Sequence, residues 1–208
     1  MSRDSNIITD FSKNLEPGST AAPSGFAIQS TLNDELKKWE GKTERGNREL
    51  LEPYWRHAGW ADDEWTPESQ PWSAVWVTYQ IRDLPPSAAH WSYVRAVING
   101  DVPGWRAYRI DEGTQLNEGD IIVKPRGWAR EEEAEYWFSH GDIVHSVAGD
   151  SVAIVGGNVG QTVKIASIPR SGKDPYIIVL KKKKSPTPKM ALLLAVLAGL
   201  AYFATKRG

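Results

Sequence analysis

At residue 105 the spacing of apolar residues changes, and that change limits the fold more than any single motif. Upstream, apolar side chains recur at helical intervals. Downstream they alternate, giving strand candidates at Trp105–Ile110, Asp120–Lys124, His140–Val147, Ser151–Asn158, Gln161–Ile168 and Tyr176–Leu180. Helices first and alternating strands after predict an α+β domain, with N-terminal helices packed on an antiparallel β-sheet.

The helical half reads as four segments. Thr31 with Asp34 resembles a capping box, and Leu32, Leu36 and Trp39 follow it at helical spacing. Arg48–His57 is the second, ended by Ala58-Gly59. Trp72–Arg82 is apolar nearly all round, as a buried central helix is, and Asp83-Leu84-Pro85-Pro86 stops it. Ser87 is the expected cap of a fourth helix, Ala88–Ile98, closed by Asn99-Gly100. Glu131–Trp137 reads as a loop or a single helical turn crossing the sheet.

The chemistry concentrates in residues 139–158, two β-branched runs around Ala148-Gly149-Asp150. A three-residue loop puts Val147 opposite Ser151. His140 then stands opposite Asn158 on one face, with Cβ atoms roughly 4.5–5.5 Å apart. A carboxamide there fixes an imidazole's tautomer and ring angle. A two-residue Gly149-Asp150 turn slips the register by one and sends Asn158 to the other face. The plain alternative is an edge histidine and a turn asparagine. Upstream, Ser73 opens the buried helix, where free N–H groups and the dipole favour developing negative charge. It is either a nucleophile or simply an N-cap.

Composition narrows the chemistry. A net charge of −1 over 208 residues gives no global field for nucleic acid. Without cysteine there is no disulfide, thiolate metal site or cysteine nucleophile. His57, His90, His140 and His145 form no HxH or HxxxH pattern, so no metal site and no cofactor is expected. All ten tryptophans lie between Trp39 and Trp137, which marks the core region and leaves both ends outside it.

Four regions follow. Residues 1–25 are polar and Pro/Gly-containing, a flexible arm with no secretory h-region. Residues 26–182 are the α+β domain, and 183–189 a basic Pro-containing linker. Residues 190–205 are the last region, and Met190–Ala204 within it are all apolar or small. Fifteen such residues give about 22 Å of helix at ~1.5 Å each. That is short of a ~30 Å hydrocarbon core, but snorkelling Lys and Arg flanks extend it. A membrane-associated C-terminal transmembrane helix is the expectation; a helix buried in a partner is the alternative. Five lysines precede this segment, against one Lys and one Arg after it, which keeps the domain on the cytoplasmic side.

Five blocks then carry a resemblance. Trp72-Ser73-Ala74-Val75-Trp76-Val77, Ser87-Ala88-Ala89-His90-Trp91-Ser92-Tyr93, Gly119-Asp120-Ile121-Ile122-Val123, Ser139-His140-Gly141-Asp142-Ile143-Val144 and Gly156-Gly157-Asn158-Val159 occur in this order. Together they resemble a bacterial and phage domain-of-unknown-function family similar to the CHAP amidohydrolase/peptidase group. The resemblance runs from about Leu32 to about Leu180 and implies a papain-like fold acting on peptidoglycan. Carried over, Ser73 stands at the nucleophile position in place of cysteine, His140 at the base and Asn158 at the orienting position. His90, Asp142, Trp72 and Trp91 become supporting or substrate-binding candidates. The resemblance implies a Ser-His-Asn cell-wall hydrolase; the apolar segment makes it a membrane-anchored one, and the cytoplasmic topology makes a phage virion its expected carrier. The alternative is an inactive structural or wall-binding module of a virion or envelope, with peptidoglycan, lipid and virion or envelope proteins as partners and no nucleic acid.

Overall fold

The computed structural model describes residues 25–67, 69–111, 113–125, 139–169 and 176–183. Four helices come first: α1 (Gly25–Lys38), α2 (Arg48–His57), α3 (Ser73–Gln80) and α4 (His90–Asn99). Six strands follow: β1 (Trp105–Arg109), β2 (Ile121–Pro125), β3 (Ser139–Ala148), β4 (Ser151–Gly156), β5 (Lys164–Pro169) and β6 (Ile178–Lys182). They form one antiparallel sheet in the order β1-β6-β2-β3-β4-β5. This is the α+β order that the switch of periodicity predicts.

Both faces of the sheet are apolar, for different reasons. Leu180, Ile121, Ile143 and Val155 are consecutive cross-strand partners and point into the core shared with the helices. Their neighbours Val179, Ile122, Val144 and Ile154 alternate onto the opposite face, where they pack with Tyr108, Leu116 and Tyr176. α3 lies inside the first core, and every residue except Tyr79 is buried. Its indoles reach two buried carboxylates: Trp72 Nε1 donates to Glu44, and Trp76 Nε1 to Glu35 Oε2 at 3.2 Å. An indole N–H in a core needs such an acceptor.

Three local expectations are corrected. α1 begins at Gly25, so Thr31 lies inside it and not at its start. Ser87 does not cap α4 from the adjoining position. Its hydroxyl closes a turn on Ala89, accepting the Ala89 N–H at 3.0 Å, and Ala89 is the N-cap. The hairpin has the two-residue turn, with Ala148 opposite Ser151 and Val147 opposite Val152. A bulge between Val144 and Ser146 then shifts the register, so Ile143 faces Val155. That is the pairing a three-residue loop predicts, reached by another route.

The arm, the linker and the apolar segment at 190–205 lie outside the described residues, apart from Gly25 and Lys183 at the margins, as does Glu131–Trp137. Among the described residues no helix is long and apolar enough to cross a membrane.

Candidate functional site

Ser73 is the first residue of α3, and Trp72 precedes it as N-cap. The serine hydroxyl reaches a ring from the next helix, with Ser73 Oγ 2.7 Å from His90 Nε2. His90 opens α4, where an extended Ala89 turns the chain into the helix. The two helix starts therefore meet, and both side chains are buried.

The hydrogen bonds define the His90 tautomer. Gly141 N–H donates to His90 Nε2 at 3.3 Å, so that nitrogen carries the lone pair. Nδ1 then holds the proton and donates to Tyr93 Oη, 2.5 Å away on the next turn of α4. The single Nε2 lone pair is then shared between the Gly141 N–H and the closer Ser73 hydroxyl. Burial, then the charge of Asp142, push the Tyr93 phenol well above its ordinary pKa, so it stays a hydroxyl.

This contact needs a glycine in β3. A Cβ built on Gly141 would fall 2.6 Å from Tyr93 Oη and 2.7 Å from His90 Nδ1. Only a bare backbone lets the strand approach the imidazole this closely.

On either side of Gly141, His140 and Asp142 alternate onto the opposite face of β3. They form a second group. His140 Nε2 lies 3.0 Å from Asp142 Oδ1, and Tyr176 donates its hydroxyl to Asp142 Oδ2. Lys124, the cross-strand partner of His140, stands 4.7 Å from the centre of the Tyr176 ring. Burial raises the Asp142 pKa, but the His140 bond and charge, Tyr176 and Lys124 outweigh it and hold the group below the usual range. Asp142 is thus an anion. Its place is made by Gly156, whose missing Cβ would sit 1.9 Å from Asp142 Oδ1. The His90 and His140 rings lie edge to face, centroids 5.8 Å apart, which joins both groups into one buried polar cluster.

The sequence-predicted residues divide accordingly. The imidazole at hydrogen-bond distance from Ser73 is that of His90, where the resemblance pointed to His140. The group beside His140 is Asp142, where it pointed to Asn158. β4 ends at Gly156, before the cross-strand position opposite His140 is reached. Asn158 lies in the following turn with a left-handed backbone, φ 59°. Trp72 is fully buried and stacked on Trp39 at 5.0 Å, which makes it a core residue and no surface for a ligand. Trp91 is half-buried in α4 and packs on the helical core. Tyr93 and Tyr176 were missed by sequence reading. Tyr93 stands three residues after His90, the helical spacing that brings two side chains together, and so had a signal. Tyr176 had none. Among the described residues no group of three or more His, Cys, Asp or Glu could hold a metal ion.

Residues 34–196 match the bacterial family described as "Uncharacterized protein conserved in bacteria (DUF2272)", and the chain belongs to that family. No curated protein matches it. Among solved structures it is similar to "The crystal structure of Ly7917", with TM-score 0.36 and 14% identity over 52% of this chain and 51% of that one. It is also similar to the same protein "with the hydrolyzing product of MDP", with TM-score 0.30 and 16% identity over 39% of this chain and 33% of that one. The chain therefore spans a third to a half of the length of these structures.

Proposed function

We propose that this DUF2272 member is a serine amidohydrolase of a CHAP-like, papain-like fold that cuts amide bonds in peptidoglycan. One observation carries the reading: Ser73 Oγ lies 2.7 Å from a His90 Nε2 fixed as acceptor, at the first turn of a buried helix. The peptidoglycan substrate rests on the family resemblance, and an anchored or virion-borne location on the apolar run and basic flanks around residues 190–205.

In this mechanism the Ser73 hydroxyl proton moves to His90 Nε2 as Oγ bonds the amide carbon. The positive end of the α3 dipole lies at Ser73 and favours the developing oxyanion. When the C–N bond breaks, its electron pair leaves with nitrogen and His90 returns the proton there. Water then attacks the acyl-serine ester, giving its proton to His90, and the proton goes back to Ser73. Serine in place of cysteine makes this base indispensable, because a hydroxyl is far less acidic than a thiol. His90 replaces His140 as base in this scheme, and Asn158 has no step.

A second reading is an inactive wall-binding or structural module, favoured by the burial of Ser73, which is only 1% exposed. Incubating the full chain with purified peptidoglycan and analysing muropeptides by mass spectrometry separates the two. The hydrolase reading expects new fragments that vanish in Ser73→Ala and His90→Ala. Binding without fragments supports the second, and full activity in Ser73→Ala removes Ser73 as the nucleophile.

A further inference from the structure

We propose that Asp142 is the counter-charge of His90, a positioning residue acting across Gly141 through the Tyr93 hydroxyl and the His140 ring. The inference rests on the reading of His90 as base and extends it to the residue that sets its strength.

The geometry is specific. Asp142 is the carboxylate of this cluster, in a space opened by Gly156. One oxygen takes His140 Nε2 at 3.0 Å and the other the Tyr176 hydroxyl, so the carboxylate cannot swing away. The His140 ring it holds packs edge to face on His90. Gly141, its neighbour in β3, donates to His90 Nε2 and lies against Tyr93 Oη, which is bonded to His90 Nδ1. The charged and titratable groups facing this assembly are Lys124 from β2, Tyr93 from α4, His140 from β3 and Tyr176 preceding β6. Asp142 is the anion among them. When His90 takes the Ser73 proton it becomes a buried cation. A fixed negative charge nearby lowers the cost of that cation, as an aspartate does for a base histidine it touches directly.

The test is a histidine NMR titration of the full chain with isotope-labelled imidazoles, which needs no substrate. Removing the charge in Asp142→Asn keeps the shape and should lower the pH at which His90 titrates by about one unit. Tyr93→Phe removes the polar route with little change of volume and should also move the midpoint down. Asp142→Asn in the Tyr93→Phe background should then add less than it does alone. If Asp142→Asn fails to fold, Tyr93→Phe decides. An unchanged His90 midpoint in the variant that folds overturns the proposal. Labelling of Ser73 by a fluorophosphonate, run in parallel, keeps the two readings apart. A wild-type chain that does not label while the midpoint shifts ends the hydrolase reading and leaves the Asp142 link standing. If both hold, the acid limb of labelling should move down in pH with the midpoint. A purely structural Asp142 would lower labelling equally at every pH.

Discussion

Ser73 and His90 each open a helix, and the two helix starts are placed so that the serine oxygen and the ring nitrogen meet at 2.7 Å. A serine at a first turn ordinarily satisfies its own backbone. Here its hydroxyl has an imidazole partner from another helix, the contact on which the proposed serine chemistry rests.

Gly141 is the position least able to change. A Cβ there meets Tyr93 Oη and His90 Nδ1 at under 3 Å, and both atoms belong to buried side chains of α4. Gly141→Ala is expected to cost about 1–3 kcal/mol by overpacking. It should also part His90 from Ser73. Urea denaturation reads the first effect and Ser73 labelling the second; a fully stable, fully labelled variant would contradict the close approach.

Acid should act through Asp142. Its folded-state pKa is depressed, so it stabilises the protein above the ordinary carboxylate range. That contribution is lost as pH falls through the depressed value. Urea midpoints followed downward from neutral pH should fall in the wild type. In Asp142→Asn they should start lower and depend less on pH in that window. Parallel curves for the two proteins would remove Asp142 from the acid response.

The pair Lys181–Asp120, at 2.5 Å, is buried on both sides. Burial lifts the Asp120 carboxyl to about 6 even though Lys181 and Asn117 oppose it. A raised carboxylate pKa means stability declines as pH climbs from about 4 to that value. Lys181→Met leaves a buried anion without its partner and is expected to cost about 3–5 kcal/mol. Lys181→Met combined with Asp120→Leu should recover much of this, and thermal melts of the two variants decide it.

Asn158 separates a backbone role from a side-chain role. Its φ of 59° suits asparagine or glycine and penalises other residues. Asn158→Gly should keep stability and labelling of Ser73 near wild type. Asn158→Ala should lose about 1–2 kcal/mol. Loss of labelling in Asn158→Gly at unchanged stability would instead return Asn158 to the site, where the family resemblance put it.

Glu35 is an anchor of the buried helix. It accepts from Tyr54 Oη and Trp76 Nε1 and pairs with Lys38 at 3.3 Å. Glu35→Leu strands those donors in the core, each at about 1–3 kcal/mol. A lowered melting temperature with altered tryptophan fluorescence is the expected result, and an unchanged melt would remove Glu35 from the core's hydrogen bonding.

The sequence alone determined the architecture. Helical spacing before residue 105 and alternation after it specify helices followed by an antiparallel sheet, because each period buries one continuous apolar face. It also brought out Ser73, His90, His140 and Asp142, since the blocks containing them could be read. It did not determine which of them meet. A one-residue bulge between Val144 and Ser146 resets the hairpin register, and only the assembled sheet shows it. Strand alternation then turns His140 and Asp142 to one face and leaves Gly141 facing the helices, where two helix starts bring Ser73 and His90 together. Those distances depend on how separate elements pack, and packing is a property of the whole core that no local stretch encodes.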